Sequence, residues 1–324
     1  SGGAAGHCVP RFFKACFAAP CLTCAVVSDI MKKIAILLTV HNRIDKTIKC
    51  LTSLLNSGYK NHNLSLDIFL TDDGSTDNSA NILKQEFPNT TLYILQGDGN
   101  LFWNAGMINS WNAALKQDKY DGYLWLNNDT IVLPNLWDEL IAAEEHSMKT
   151  FGSKGIYVGS TYDIKTKKLT YGGFNFTNKW TLKDRFLIPN GNFQDCQCGH
   201  GNITFVSHDV VKKIGILDNR YIHGGGDHDY TYMAYKKGIP LFILRDFVGA
   251  CENDHKKDGF YDFMQMSLTQ RFKFLKSPVG YNLHNTLLFQ KRFFPYRYPF
   301  VLFSSLLKVL FPNLYYNLYK MARK

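Results

Sequence analysis

The chain has 324 residues, of which 45% are hydrophobic, a composition typical of a globular protein with a sizeable core. Its net charge is +10, and the whole excess lies after Asp262, the last acidic residue, where ten basic residues follow. No nucleic-acid-binding motif accompanies this charge, so we expect no nucleic-acid partner. Residues 299–310 are the most apolar stretch, but Lys308 and Pro312 interrupt it before the roughly 20 residues that span a bilayer.

Residues 1–30 precede Met31-Lys32-Lys33, which reads as a natural start, so we predict that they are an expression leader outside the fold. Four of the eight cysteines lie there, and the pair Cys21-x-x-Cys24 lacks the second pair that a zinc site needs. The others are predicted to be free thiols, as is usual in a reducing compartment. They are Cys50, Cys196, Cys198 and Cys251.

The first part of the chain alternates branched apolar runs with amphipathic runs. Strands are predicted at residues 34–40, 67–71, 91–95 and 123–126, and helices at residues 45–56, 79–87, 104–116 and from Pro134. This alternation predicts an α/β fold with a Rossmann-like, mostly parallel, doubly wound sheet.

The second part of the chain has shorter elements and then changes composition. Strands are predicted near residues 158–160, 169–173, 203–206, 241–244 and 247–250, and helices at residues 208–214 and 231–237. From about Asp262 the chain is predicted to be helical, aromatic and basic, in short pieces separated by prolines. We therefore predict a main domain at residues 31–262 and a C-terminal helical extension at residues 263–324.

Three short acidic runs carry the chemistry. They are Asp72-Asp73-Gly74-Ser75-Thr76-Asp77, Asn127-Asn128-Asp129 and Gly224-Gly225-Gly226-Asp227-His228-Asp229. The first two follow predicted buried strands, and the third lies in a glycine-rich loop. Taken singly, each run also fits an ordinary turn, a helix cap or a flexible loop. Carboxylates at the ends of parallel strands line the crevice where α/β sheets bind ligands, so we expect the three runs to converge there.

Each run suits one chemical task. A carboxylate of Asp72 or Asp73 can accept from a base N–H or a ribose hydroxyl. Asp129 can bind a hard divalent cation, since Mg²⁺ typically uses one or two carboxylates together with substrate phosphates. Asp227 can take a proton from an acceptor hydroxyl, which is general-base catalysis. His255 follows a predicted strand and is a candidate nitrogen ligand for the same metal.

The runs are similar, in order and spacing, to those of the family 2 inverting glycosyltransferases of the GT-A fold. The resemblance covers residues 33–256, and the Gly-Gly-Gly-Asp-x-Asp and Asn-Asn-Asp forms look most like a bacterial rhamnosyltransferase-like branch. It rests on Thr39-Val40-His41-Asn42-Arg43, on residues 72–77, on Gly99-Asn100 with Asn104-Ala105-Gly106, on residues 127–129 with Pro134, and on residues 224–229.

The resemblance implies a role for each matching residue. Asp227 would be the catalytic base, and Asp129 with His255 would hold Mg²⁺ or Mn²⁺. The nucleotide-sugar site would comprise Thr39, Arg43, Asp72, Asp73, Asp98, Asn100, Asn104 and Asn128. The acceptor site would comprise His200, Gly201, Asn202 and Asp229. Asn127 departs from the commoner aspartate of the family, which weakens direct metal binding but permits coordination through water.

These expectations describe a metal-dependent inverting glycosyltransferase. Its donor would be dTDP-rhamnose or a UDP-sugar, and its acceptor a saccharide or lipid-linked saccharide in bacterial surface polysaccharide synthesis. The basic, aromatic extension suits an anionic membrane surface, which would place the enzyme in the cytoplasm at the inner face of the membrane. Alternatively, the extension packs on the main domain or on a homodimer mate.

Two other functions remain open at this stage. A sugar nucleotidyltransferase also pairs such a sheet with a metal, but His41-Asn42-Arg43 lacks the glycine-rich phosphate loop usual after its first strand. A non-catalytic protein that binds nucleotide sugars or a membrane surface is the second, and the joint presence of Asp73, Asp129 and Asp227 argues against it.

Overall fold

A twisted mixed sheet with helices on both faces forms the centre of the computed structural model, which describes residues 31–252 and 259–323. In these residues the strands are β1 (Lys33–Val40), β2 (Ser65–Asp72), β3 (Leu92–Gln96), β4 (Gly122–Leu126), β5 (Ile131–Val132), β6 (Ile156–Tyr162), β7 (Leu169–Tyr171), β8 (Gly173–Asn178), β9 (Lys183–Phe186), β10 (Gln194–Asp195), β11 (Cys198–Gly199), β12 (Ile203–Ser207) and β13 (Leu241–Ala250).

The helices cover the sheet and then form the C-terminal part of the chain. They are α1 (Ile44–Leu55), α2 (Ser79–Glu86), α3 (Phe102–Gln117), α4 (Leu136–Phe151), α5 (His208–Ile214), α6 (Gly226–Lys236), α7 (Gly259–Gln265), α8 (Leu268–Lys276), α9 (Leu283–Phe293), α10 (Tyr298–Leu310) and α11 (Pro312–Arg323). Short 3₁₀ helices lie at Tyr59–His62 and Pro295–Arg297.

The larger sheet has the strand order β10-β13-β6-β12-β4-β1-β2-β3, with β5 paired to β13 and β7 to β6. Strands β3, β2, β1 and β4 are parallel neighbours, and β13 is parallel to β6. Strand β12 runs antiparallel between β4 and β6. A small antiparallel sheet, β11-β8-β9, lies beside it. The predicted α/β class with a mostly parallel sheet is therefore confirmed, with β12 as the antiparallel insertion.

Strand β1 shows why the sheet is covered on both faces. Ile34, Ile36 and Leu38 belong to one hydrophobic cluster, and the alternating Ala35 and Leu37 belong to the other. All five side chains are fully buried. Successive side chains of a strand point to opposite faces, so a continuous apolar run implies helices on both sides. Helix α1 packs on the first cluster and α3 on the second.

The predicted elements overlap observed ones, but the short strands β5, β9, β10 and β11 were not predicted, and β13 is one strand where two were predicted. Two helices, among others, also begin at residues other than those predicted. Helix α4 begins at Leu136, so Pro134 lies in the turn before the helix rather than in its first turn. Helix α6 begins at Gly226, five residues before the predicted start at residue 231. The second difference matters for function, because it moves Asp227 and Asp229 from a loop into the first turn of a helix.

The C-terminal helices pack on the α/β body. Phe294, after α9, is buried in a cluster with Phe174 of β8 and Tyr232 of α6. The Arg292 guanidinium pairs with Asp229 in α6 and, at 3.3 Å, with Asp218. Residues on both sides of the predicted boundary at 262 belong to one compact unit that begins at Met31.

No helix within the described ranges, 31–252 and 259–323, is both long enough and apolar enough to cross a bilayer.

The Arg292 contact generates a stability prediction. Replacing Arg292 by Leu leaves the Asp229 carboxylate, whose residue is 1% exposed, with the Tyr221 hydroxyl as its remaining side-chain partner. Removing one member of a buried ion pair costs about 3 kcal/mol or more. We expect the free energy of unfolding, measured by urea denaturation at pH 7.5, to fall by about that amount.

The neighbouring Lys291→Leu variant is the matched control, since Lys291 is exposed and the charge change is identical. Burial raises the pKa of the Asp229 carboxyl, and loss of Arg292 raises this pKa further. The difference between the two variants should therefore shrink as the pH falls and Asp229 becomes protonated. Equal stability of the two variants at pH 7.5 would show that the C-terminal helices are not anchored through this pair.

Candidate active site

The candidate site lies at the carboxyl ends of the four parallel strands β3, β2, β1 and β4. These strands are consecutive neighbours in the sheet, so the loops that follow them meet at one edge. Asp72 is the last residue of β2 and Asp73 follows it, and Asn127-Asn128-Asp129 follows β4. The start of α6 and the turn at residues 200–202 also reach this edge through the contacts described below.

The Asp73 carboxylate organises the loop after β3. Its Oδ1 accepts from the Gly99 N–H at 2.8 Å, and its Oδ2 accepts from the Phe102 N–H at 2.9 Å. Gly97 packs so closely on Asp73 that a Cβ there would overlap the carboxylate. Asp73 is 3% exposed, so it holds the wall of the crevice in addition to any contact with a ligand.

Trp103, in the first turn of α3, joins the second acidic run to the turn after β11. Its indole Nε1–H donates to Asn127 Oδ1 at 2.8 Å, and its ring packs against Gly201, where a Cβ would overlap it. The Gly201 N–H in turn donates to Asp227 Oδ2 at 3.0 Å. An amide at position 127 therefore has a structural task, since its oxygen accepts from the indole.

Asn104, the next residue of α3, positions the third acidic run. Its Nδ2 donates to the backbone carbonyls of Asp218 and Tyr221 at 2.9 and 2.8 Å. Its Oδ1 lies against Gly226, and a Cβ at Gly226 would overlap this oxygen. Asn104 is fully buried, so the loop before α6 is fixed against α3 by an amide that water does not reach.

Phe102, Trp103 and Asn104 form what we call the α3 entry, the segment that contacts all three acidic runs. Phe102 has a φ of 52°, in the left-handed region that non-glycine residues rarely adopt. Such a conformation costs of order 1 kcal/mol and persists only where surrounding contacts enforce it. Here the Asp73 carboxylate accepts from the Phe102 N–H, and the Phe102 ring lies 5.8 Å from that of His223.

Asp129 is the candidate metal ligand. Its Oδ2 accepts from Arg43 Nη1 at 3.1 Å, and the Cys251 thiol lies 3.8 Å from its Oδ1. The side chain is 19% exposed, so the carboxylate is partly open to solvent. Within residues 31–252 and 259–323, no group of three or more histidine, cysteine or acidic side chains is arranged to hold a metal.

One carboxylate fits a hard cation such as Mg²⁺ that takes its other ligands from phosphate oxygens and water. Asp129 would hold that ion, and Arg43 would be free to pair with the phosphates. His255 lies outside the described residues, so its predicted role as a metal ligand stays a prediction.

Asp227 is the candidate base. In the first turn of α6, its Oδ1 accepts from the His228 N–H at 2.9 Å, while Oδ2 accepts from Gly201. Burial raises the pKa of this carboxyl, but His228, His200 and the two backbone donors lower it, so that the pKa lies below its ordinary value. The helix N-terminus also favours the negative form. Asp227 is thus ionised at neutral pH, and its side chain remains 14% exposed.

Two histidines border this carboxylate. His228 Nε2 lies 4.0 Å from Asp227 Oδ2, and the His200 ring lies 4.8 Å from that of His228. Burial, with the neighbouring His228, lowers the pKa of His200 to about 4. His200 is therefore neutral at neutral pH, and its Nδ1–H can donate to the Gly172 carbonyl at 2.8 Å. Two imidazole rings thus lie close to the base, and neither lysine nor arginine is among the described side chains that bond to it.

Other residues predicted for the site are placed as follows. Thr39 Oγ1 lies 3.4 Å from the Trp103 carbonyl, Asp98 Oδ1 accepts from the Asn100 N–H, and Asp72 Oδ1 accepts from the Ser75 N–H. The Asn128 and Asn202 side chains are buried and donate to Thr47 and Cys251. Asp229 is buried against Arg292 and Tyr221. These bonds hold the loops in place, and they are made by Asp72, Asp98, Asn128, Asn202 and Asp229. The Asp229 side chain is oriented away from solvent.

Sequence reasoning missed several residues that build the site. Trp103 was not predicted as a site residue, because it lies outside the acidic runs and motifs from which the site was predicted. Asn285 of α9 is 4% exposed, and its Nδ2 donates to the carbonyls of His223 and Gly224. Only a long-range contact identifies such a residue, because α9 lies about 60 residues from the loop that it supports.

Comparison with known families decides the classification. Residues 35–215, more than half of the chain, match the model of the family described as "Glycosyl transferase family 2". The protein belongs to glycosyl transferase family 2. A search of curated proteins finds no significant match.

One solved structure is similar to this chain at the level of the fold. The structure of GalNAc-T7 with UDP, GalNAc and Mn²⁺ has a TM-score of 0.54 at 12% identity, over 71% of this chain and 45% of that one. The chain thus spans less than half the length of that relative. The structure of S. aureus TarS 1–349 has a TM-score of 0.48 at 15% identity, over 80% of this chain and 69% of that one. The Pyrobaculum calidifontis mannosyltransferase PcManGT, in complex with GDP-Man and Mn²⁺, has a TM-score of 0.49 at 12% identity, over 91% of this chain and 80% of that one.

The contact between Asn104 and Gly226 generates a prediction about this family 2 member. In Gly226→Ala, the new methyl group overlaps Asn104 Oδ1, so either α6 or α3 must shift. Overpacking of this kind costs about 1–3 kcal/mol. We expect a lower melting temperature and a loss of activity, because the shift moves Asp227, the next residue.

Gly224→Ala provides the control two residues away. A Cβ there meets no atom within 4 Å, and Gly224 lacks a positive φ. Its melting temperature should equal that of the unsubstituted protein in the same differential scanning experiment. If the two alanine variants melt alike, the α3 entry does not fix the start of α6.

Proposed function

We propose that this protein is an inverting glycosyltransferase that moves a sugar from a nucleotide diphosphate donor to a hydroxyl group of an acceptor saccharide. The observation that carries the proposal is the contact network of the α3 entry. It links Asp73, Asn127 and the Asp227 loop, which are otherwise far apart in the sequence. Family membership supports the reaction class, and the ionised state of Asp227 supports its role.

The proposed step is a direct displacement. The acceptor hydroxyl oxygen forms a bond to the anomeric carbon, the bond from that carbon to the diphosphate breaks, and the configuration inverts. The hydroxyl proton passes to Asp227, which its neighbours keep ionised beforehand. The electron pair of the broken bond leaves on the nucleotide diphosphate. As in other glycosyl chemistry, the transition state has oxocarbenium character.

The remaining site residues bind and orient the donor in this proposal. Asp73 and Thr39 lie at the base and ribose end, and Arg43 with Asp129 lies at the diphosphate end. A divalent cation, Mg²⁺ or Mn²⁺, supplies Lewis acidity to the leaving diphosphate when bound. The donor that we favour is dTDP-rhamnose, on the resemblance of the acidic runs, with UDP-sugars as the alternative. The pathway that we propose is bacterial surface polysaccharide synthesis.

Substitution of the base tests the function. In Asp227→Asn the carboxylate that receives the proton is replaced by an amide of the same size. We expect transfer to fall by about 10²–10⁴-fold, the usual contribution of a general base. Donor affinity should change little. Both are measured with a panel of nucleotide sugars, the first by nucleotide release and the second by thermal shift with Mg²⁺ or Mn²⁺.

The control is Asp209→Asn in α5, which removes a carboxylate that lies outside the crevice. Full turnover in Asp227→Asn would remove Asp227 from the role of base. If a nucleotide sugar binds but none reacts, a non-catalytic binding protein on a transferase fold becomes the better description. Release of pyrophosphate from a nucleoside triphosphate and a sugar phosphate would instead indicate a nucleotidyltransferase.

We further propose that the protein lies on a membrane surface through α10 and α11. Apolar side chains with helical spacing are exposed along both helices, and we call them the apolar face. They are Phe300, Phe303, Leu306, Leu310, Phe311, Leu314, Leu318 and Met321. Phe300 and Phe303 are 69% and 68% exposed. No acidic residue follows Asp262, so the cations of this segment favour an anionic surface.

Vesicle flotation tests this placement. Each phenylalanine contributes about 1.5–3 kcal/mol when it is buried in lipid, so the double variant Phe300→Ser, Phe303→Ser should bind anionic vesicles at least tenfold more weakly. The control Ile188→Ser removes an apolar side chain that is 62% exposed elsewhere. Unchanged binding of the double variant to phosphatidylglycerol vesicles would exclude the apolar face as the contact surface.

A further inference from the structure

A cavity of about 690 Å³ lies among the C-terminal helices, and we call it the α10 pocket. Helices α8, α9 and α10 enclose it together with the turn between β8 and β9. The described residues that line it include none of those placed above at the nucleotide sugar, the metal or the base. The α10 pocket therefore has no task in the proposed transfer step.

Lys308 is the buried cation of this pocket. Its Nζ lies 4.2 Å from the centroid of the Tyr281 ring and 5.0 Å from that of the Tyr315 ring. Such rings attract an ammonium through their π faces, but they carry no net charge. Burial lowers the pKa of the Lys308 ammonium, as expected for a charge that is removed from water. An anion in the pocket would offset this cost.

Arg297 is a second cation in the wall of the pocket. It lies just before α10, and Lys308 follows about three turns, or about 16 Å, further along the helix. The Arg297 guanidinium donates to Gln290 Oε1 at 3.1 Å and to the Thr181 carbonyl at 3.3 Å, and both acceptors are uncharged. No acidic side chain is among the described residues that line the pocket. Its charge is therefore positive along its whole length.

Hydroxyl groups complete a wall that suits a phosphate. The hydroxyl side chains that line the pocket are those of Thr181, Thr286, Ser304 and Ser305. A hydroxyl can donate a hydrogen bond, and phosphate oxygens accept such bonds. Hydrogen bonds from a cation to phosphate are among the strong ones. The pocket thus combines donors and positive charge, which favours an anion that carries several acceptor oxygens.

Apolar side chains border the pocket where it meets solvent. Trp180 and Phe300 line it and are 70% and 69% exposed, and Phe300 belongs to the apolar face. The Trp180 ring lies 4.7 Å from that of Tyr296. Tryptophan and tyrosine are enriched at membrane interfaces, because one end of each ring system is apolar and the other is polar. A ligand in the pocket would therefore continue along an apolar surface.

We propose that the α10 pocket binds the phosphate headgroup of one anionic phospholipid. Lys308 pairs with the phosphate, Arg297 attracts it at the end of the pocket beside Trp180, and the acyl chains extend along the apolar face. A free phosphate ion fits less well, since it takes the space of only a few water molecules of about 30 Å³ each. The inference rests on the proposed membrane placement, to which it adds a site for a single lipid.

Soluble short-chain lipids test the pocket without a membrane. The probes are dihexanoyl phosphatidylglycerol, dihexanoyl phosphatidylcholine and inorganic phosphate, with both lipids below their aggregation concentrations. Dissociation constants for the full chain are measured by calorimetry. We expect phosphatidylglycerol to bind at least tenfold more tightly than either other probe. The choline cation would meet Lys308 and Arg297 with like charge, and inorganic phosphate has no acyl chain.

Lys308→Met tests the partner of the phosphate. The variant keeps a long side chain but lacks the ammonium, so it should bind dihexanoyl phosphatidylglycerol at least tenfold more weakly. Its melting temperature should not fall, because a buried charge is removed. Lys291→Met in α9 is the matched control, since Lys291 is exposed and does not line the pocket. The comparison of the three probes uses the unsubstituted protein and decides the ligand class even if a variant does not fold.

Vesicles separate the lipid site from the membrane placement. Phe303 belongs to the apolar face but does not line the pocket. Phe303→Ser should weaken binding to phosphatidylglycerol and phosphatidylcholine vesicles alike, and should affect the short-chain lipid less than Lys308→Met does. Lys308→Met should instead reduce only the preference for phosphatidylglycerol vesicles.

Three results would overturn the proposal. The first is equal affinity for the two dihexanoyl lipids. The second is an affinity for inorganic phosphate that equals that for phosphatidylglycerol, which would indicate a site for the free ion. The third is equal binding of phosphatidylglycerol by Lys308→Met and Lys291→Met. If vesicle binding still depends on Phe303, these results remove the lipid site and leave the membrane placement. If the short-chain lipid binds through Lys308 but no vesicle binds, the site stands and the membrane placement is lost.

Discussion

The organisation of this site depends on the first three residues of one helix. Phe102, Trp103 and Asn104 contact, in turn, the loop after β2, the loop after β4 and the loop before α6. The first contact holds Phe102 in the left-handed backbone region, which an isolated chain would avoid. The strain is therefore offset by packing and hydrogen bonds that exist only when the loops are assembled. Asp73, Asn127 and Asp227 acquire their relative positions from this segment rather than from direct contact with one another.

The same segment explains an unusual feature of the sequence. Asn127 lies where the family resemblance leads us to expect an aspartate, and its Oδ1 accepts from the indole of Trp103. A side-chain amide can accept from that donor without adding a second negative charge next to Asp129, which already pairs with Arg43. The local charge thus stays balanced by one carboxylate and one guanidinium. Burial of loop carboxylates and amides such as Asp72 and Asn128 maintains this frame.

Much of the fold could be predicted because apolar runs and helical spacing are local signals. The residues of β1, β2 and β4 are buried on both faces, and their apolar runs identified them. The direction of β12 could not be predicted, since Ile203–Ser207 is an apolar run with no signal of its orientation. The start of α6 was missed because three glycines suggested a loop, whereas Gly225 takes a positive φ and the helix begins at the next residue.

The site was predictable where acidic residues follow strands, and not where distant segments meet. Trp103, Arg292 and Asn285 act through contacts with residues remote in the sequence. The charge and the aromatic content of the C-terminal extension can be read from its sequence. Its packing against the loop before α6 cannot, because no local sequence pattern indicates that contact. Cys50, Cys196, Cys198 and Cys251, which the sequence predicts to be thiols, are buried in the structure.

The anchoring of α9 also limits how such a protein can be recombined or evolve. Arg292 pairs with two aspartates of the α/β body, and Asn285 supports two carbonyls of the loop before α6. A chimera that receives the C-terminal helices of a relative therefore needs matching aspartates and a loop of the same shape. Without them the foreign helices would displace the segment that bears Asp227. We therefore expect changes of acceptor preference to arise by coordinated substitution in the C-terminal helices and in the part of the α/β body that they contact.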